Sequence, residues 1–135
     1  LSKCLDTELI PYGRLPLMIT ENCLVQNETG CRLDRQGPCV PEDGPCRCGQ
    51  PNVLVDRTGA AFPLLPAYGH RTEIQNSKPL YLADRPEHRR LGLAYARLRF
   101  TTETAEECVS VVQNYLDAAP AAGDFTRGLY ERGVE

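Results

Sequence analysis

The chain contains no tryptophan and a single methionine, and its aromatic residues are limited to six tyrosines and three phenylalanines. No internal repeat, heptad run or Gly-X-Y period is present, which excludes solenoids, coiled coils and collagen. Long apolar runs are missing too. Stretches such as residues 15–19 and 60–65 are short and interrupted by proline, whereas a membrane-spanning helix needs about 20 apolar residues in succession. No membrane partner is expected. A large excess of one charge is also lacking: 15 Lys and Arg stand against 18 Asp and Glu, a net charge of -3, which argues against a protein that coats nucleic acid. Hydrolase signatures are missing as well. There is no HExxH and no GxSxG, and none of the three serines (Ser2, Ser77, Ser110) neighbours a histidine, so no protease active site is legible in this segment. The chain opens on Leu1, with no basic, apolar, small-residue leader. It is therefore expected to begin inside a longer chain and to be cytoplasmic, which leaves the glycosylation pattern Asn27-Glu28-Thr29 a formal match only.

What is present is a chain of 135 residues, 41% hydrophobic and 24% charged, ordinary for one globular domain or a piece of one. Its unusual feature is cysteine. There are seven, about 5% of the chain, fewer than a disulfide scaffold carries and odd in number. Five of them, Cys23, Cys31, Cys39, Cys46 and Cys48, fall within 26 residues, separated by intervals of 8, 8, 7 and 2. No Cys-x-x-Cys knuckle occurs, which weakens the case for structural zinc, because such sites present two sulfurs from one tight turn. Widely spaced cysteines suit an iron–sulfur cluster better, and the glycines beside Cys31 and Cys48 would expose N–H groups to cluster sulfur. Disulfides and unligated thiols remain the alternatives.

Residues 22–52 lack either periodicity and carry the breakers GP, CG and PN, so they are expected to form an irregular cysteine-rich loop. About 30 residues is long for a loop in a compact domain, and cysteine ligation is the candidate for ordering it. Before it, the run from Glu8 to Ile19 reads as strand, confined to an edge or bulge by Pro11 and Pro16. After it, Val53 to Val55, the turn Asp56-Arg57-Thr58-Gly59 and Ala61 to Leu65 read as a hairpin, with a third short strand at His70 to Gln75. Asp84 to Leu91 reads as a short helix with an Asp cap and an early proline, and Leu93 to Phe100 alternates like a half-buried strand. Thr104-Ala105-Glu106-Glu107 matches a capping box, followed by Ala105, Cys108, Val112, Tyr115 and Ala119 at helical spacing. The expected fold is α+β (mixed α/β): a small mixed sheet packed by one long and one short helix. Cys4 and Cys108 read as buried thiols.

Two further features bear on chemistry. His70 follows Gly69 at the entrance of a strand, which makes it a candidate non-sulfur ligand; His88 lies on a charged helix and is read as an ordinary surface or core histidine. Arg85, Arg89, Arg90, Arg97 and Arg99 form a basic run, either a phosphate-contacting face or a surface neutralised by Asp84, Glu87 and Glu73.

The runs YGRLPLM before Asn22-Cys23, LVDRTGAAFPL, HRTEIQNSKPLYLADR, LRFTTET and FTRGLYERGVE, in this order over nearly the whole chain, resemble the peptidase U32 family, the collagenase-like peptidases of unassigned catalytic type. The resemblance implies that residues 1–135 are one fragment, the later part of a larger barrel-like domain, with the remainder of the parent chain as partner. It also implies a 4Fe–4S cluster, since members of this family carry one on cysteines, and several hydroxylate RNA bases or quinone precursors without oxygen. By motif the ligands are Cys23, Cys31 and Cys48. The fourth position, a Cys before Arg in the family, is His70 here, or is supplied by Cys39 or Cys46. The implied function is the cluster-bearing part of an RNA-modifying enzyme; proteolysis and a structural zinc segment are the rivals, and zinc is the alternative occupant in an aerobic recombinant sample.

Overall fold

The computed structural model describes residues 5–29 and 50–131. Cys4, Cys31, Cys39, Cys46 and Cys48 lie outside the described residues. The chain divides into two compact units, one built from Leu1–Arg14 and Lys78–Glu135, the other from Leu15–Ser77. The α+β expectation holds: the described residues form two sheets and two α-helices, and neither sheet closes into a barrel.

In the first unit, β1 (Glu8–Gly13) lies between β6 (Leu80–Tyr81), antiparallel, and β7 (Tyr95–Leu98), parallel. The strand expected from Glu8 to Ile19 therefore stops at Gly13 and restarts as β2 (Pro16–Thr20) in the other unit. Gly13 marks the break for a physical reason. Its φ is +130°, and a Cβ there would sit 2.3 Å from the Arg99 carbonyl oxygen, so only glycine lets the two backbones approach this closely.

The core of this unit is aromatic. Tyr12, Tyr81 and Ala83 are buried, and Leu98, Phe100, Val111, Tyr115, Ala121 and Phe125 pack around them. Tyr12 meets Tyr81 and Tyr115 edge-on at centroid distances of 6.5 and 6.1 Å, the arrangement that aromatic quadrupoles favour. Each buried hydroxyl finds a partner: Tyr12 donates to Glu103 Oε1, Tyr81 to the Ala119 carbonyl and Tyr115 to the Pro11 carbonyl.

The helix α2 (Ala105–Asp117) opens on the expected capping box, with Thr104 Oγ1 accepting from the Glu107 N–H and the Glu107 carboxylate from the Thr104 N–H. Its inward residues are Val111 and Tyr115, while Val112 is 41% exposed, so the expected face was turned by one residue. Cys108 is half-buried rather than a core residue.

Two more expectations change here. The segment expected as a helix from Asp84 is a 3-10 helix, Pro86–Leu91, with no side-chain cap. Asp84 instead receives both Arg127 Nη1 and Nη2, at 2.6 and 2.7 Å. The strand expected from Leu93 to Phe100 shortens to β7, whose Tyr95, Ala96 and Arg97 are all exposed, because it is an edge strand of a three-stranded sheet.

The second unit is a four-stranded antiparallel sheet in the order β2, β5 (Arg71–Gln75), β4 (Ala61–Ala67), β3 (Asn52–Val55). The β3–β4 turn follows the sequence expectation closely. Asp56 Oδ1 accepts from the Thr58 and Ala60 N–H groups, and Gly59 takes φ +85°. These bonds hold the Asp56 carboxyl below its ordinary range, the Thr58 hydroxyl bond contributing most. One expectation fails in this unit: Leu24–Thr29, inside the segment expected to be irregular, is helix α1.

Candidate functional site

The site is built by strand register. Thr20 of β2 faces Thr72 of β5, in an antiparallel ladder that runs back through Ile19 and Glu73. Just beyond the ladder the two strands are tied by Arg71, whose Nε and Nη2 both donate to Glu21 Oε2 at 3.2 and 2.9 Å. An exposed pair of this kind contributes at most about 1 kcal/mol, but it fixes the alignment of the two strand ends.

Buried Thr72 adds a second tie: its Oγ1 accepts the Leu24 N–H at 3.0 Å, and its carbonyl accepts the Thr20 hydroxyl at 3.3 Å. Cys23 is held between these anchors. It is buried, it precedes the first residue of α1, and its Sγ accepts the Gln26 N–H at 3.4 Å.

His70 arrives at the same sheet end from the other side. Ala67 of β4 pairs with Arg71 of β5, leaving Tyr68, Gly69 and His70 as the connecting loop. Gly69 and His70 take positive φ values of 74° and 58°. Such a conformation is uncommon for a side chain other than Asn, Asp or His. Because adjacent strands alternate in direction, β3 also begins at this end of the sheet, entered from Gln50. Cys23 thus lies three residues beyond the end of β2, and His70 immediately precedes β5, at the sheet end where β3 begins.

Cys23 is a free thiol. Among the described residues no group of three or more potential metal ligands occurs. The donor chemistry nevertheless fits the implied groups: a thiolate with a hydrogen bond to sulfur and an imidazole suit iron–sulfur clusters and zinc, and disfavour hard cations. Thr72 is the residue that sequence reasoning missed here. Nothing in a single strand reveals that its hydroxyl holds the segment carrying Cys23.

The arginine run is not one patch of unpaired cations. Arg85 pairs with Glu131, Arg97 with Glu8 at 2.9 Å, and Arg99 Nη1 donates to the Arg14 carbonyl at 3.5 Å. Arg90 is exposed on the 3-10 helix, and the side chain of Arg89 lies outside the description. The expected neutralising partners are engaged elsewhere: Asp84 with Arg127, Glu87 with the Tyr130 hydroxyl, and Glu73 with the Gln75 amide. His88 is buried, with Nδ1 lacking a partner among the described residues.

No helix among the described residues is long and apolar enough to cross a membrane. Comparison of the chain with protein-family models, with curated proteins and with solved structures found no match.

Proposed function

We propose that this chain is the cluster-bearing module of an iron–sulfur enzyme that modifies RNA bases, with Cys23, Cys31, Cys48 and His70 as the ligands. The observation that supports this reading is the β2–β5 pairing, which ends at Thr20 and Thr72, so that Cys23 follows β2 and His70 precedes β5 at the sheet end where β3 begins. When bound, such a cluster supplies one-electron transfer, at a potential raised where histidine replaces cysteine. The chain's own residues position the ligands. Thr72 and the Glu21–Arg71 pair hold the two strand ends together, and the Gln26 N–H directed at Cys23 Sγ offsets thiolate charge. The RNA substrate follows from the family resemblance. Arg90, an exposed member of the basic run, is its candidate contact.

Anaerobic purification of the full-length protein, followed by iron and labile-sulfide assays, tests the reading. About four of each per chain are expected. Cys23→Ser should abolish incorporation, whereas His70→Cys should retain it. Stoichiometric zinc without iron after anaerobic reconstitution would make the segment structural, and a protein free of both metals would refute the centre. Salt-dependent RNA binding before and after Arg90→Glu tests the substrate independently.

A further inference from the structure

Helix α2 is apolar on two adjacent sides, and only one of them is used. Val111 and Tyr115 face the aromatic core. Val109, Val112 and Leu116 point outward, with exposures of 70, 41 and 70%. Their spacing of three and four residues places them on a single stripe along the helix. Single exposed hydrophobic residues need no explanation. Three aligned along a helix of 13 residues do, because this i, i+3, i+7 pattern is how one helix engages another.

The border of the stripe selects the partner. On the side away from the core, Glu106, Gln113 and Asp117 form the next row, all exposed, with Gln113 Nε2 donating to Asp117 Oδ2 at 2.9 Å. From Thr104 to Thr126 the sequence contains Glu106, Glu107, Asp117 and Asp124 and no Lys, Arg or His. The charged groups that the helix sets along this edge of the stripe are therefore carboxylates alone. An anionic lipid surface or a nucleic acid would be repelled. A second copy of α2 would set carboxylates against carboxylates and supply no cation. A helix carrying its own apolar stripe between lysines or arginines would bury Val109, Val112 and Leu116 while placing its cations on Glu106 and Asp117.

We infer that the outer side of α2 is a docking surface for a basic amphipathic helix of a partner protein. This surface goes beyond the metal-centre reading and does not depend on it.

The probe is a synthetic peptide of about 15 residues, long enough to cover α2, with leucines at i, i+3, i+4 and i+7 and lysines flanking the stripe. It is titrated into the full chain and followed by NMR shifts and by affinity at low and high salt. Two peptides serve as controls, one with the same residues scrambled off the stripe and one with glutamate in place of lysine. Saturable binding with shifts confined to residues 106–117 is expected, weakened at least about tenfold by Val109→Ser with Leu116→Ser. Glu106→Lys with Asp117→Lys should reverse the preference toward the glutamate peptide. Both pairs change surface residues, and circular dichroism confirms that the variants fold. Equal binding of the scrambled peptide would overturn the inference, as would no saturable binding. Binding to vesicles of anionic phospholipid, or a dimer of the chain dispersed by the Val109 and Leu116 changes, would overturn it too.

Discussion

Tyr115 anchors α2 to the sheet of its unit through one oxygen, and its replacement by Phe isolates that role. The hydroxyl donates to the Pro11 carbonyl at 2.7 Å and accepts the Leu82 N–H at 2.9 Å. Pro11 is fully buried and Leu82 is 3% exposed, so water does not readily replace either bond. The ring of Phe keeps the contacts with Tyr12 and Tyr81, at 6.1 and 5.5 Å, and hydrophobic burial is nearly unchanged. Two hydrogen bonds at about 1 kcal/mol each, plus part of the desolvation cost of the stranded donor and acceptor, give a loss of about 2–4 kcal/mol. With a urea slope of about 2 kcal/mol per molar, the midpoint of this unit should fall by about 1–2 M with the slope unchanged. Native-state hydrogen exchange should show the Leu82 amide losing protection first. Burial also pushes the Tyr115 hydroxyl up to about 12 from 10.0. The folded state therefore favours the neutral phenol, and the stability this gives is complete below pH 10 and lost as pH rises through about 12. The Phe variant should lose less stability across that window. A loss below about 0.5 kcal/mol, with Leu82 still protected, would refute the anchoring role.

Three other changes have definite expected outcomes. Arg127, donating to Asp84, holds the Asp84 carboxyl below its ordinary range, so stability from this pair is present above that range and is lost as pH falls through the depressed value. Asp84→Asn should cost about 2–3 kcal/mol at pH 7 and remove that acid dependence in urea titrations. Gly13→Ala should cost about 2–4 kcal/mol in thermal or urea unfolding, because the new Cβ would meet the Arg99 backbone at positive φ; a neutral result would remove the close approach from the account. Cys108→Ser should cost less than about 1 kcal/mol at this half-buried position and leave iron and zinc content unchanged. Loss of metal would place Cys108 among the ligands.

Features encoded within a few residues were legible in the sequence. The Asp56 turn and the Thr104 capping box each satisfy their bonds within five residues, so composition sufficed to find them. The division of the run from Glu8 to Ile19 was not legible, because it depends on β1 pairing with β7 far along the chain. Asp84 is the residue type that caps helices, but Arg127, 43 residues away, takes its carboxylate. The phase of α2 was ambiguous between Val111 and Val112, which are the same residue type; the tie of Tyr115 to Pro11 and Leu82 orients the helix. At the candidate site, spacing singled out Cys23 and His70 separately. That they flank the paired ends of β2 and β5 required the β2–β5 register, and the hydroxyl of Thr72 became visible only with it.

The placement of the tyrosines gives the two units different optical signatures. Five of the six, Tyr12, Tyr81, Tyr95, Tyr115 and Tyr130, belong to the unit that holds α2, and the chain has no tryptophan to mask them. The sixth, Tyr68, is 97% exposed and stands two residues from His70 in the other unit. Near-ultraviolet dichroism, which needs rings fixed in a chiral packing, therefore follows the aromatic core of the first unit. Tyr68 emission reports locally on the sheet end of the second. Phenylalanine at the five other positions would leave one fluorophore beside the proposed ligand, and a coloured iron centre forming there would quench it.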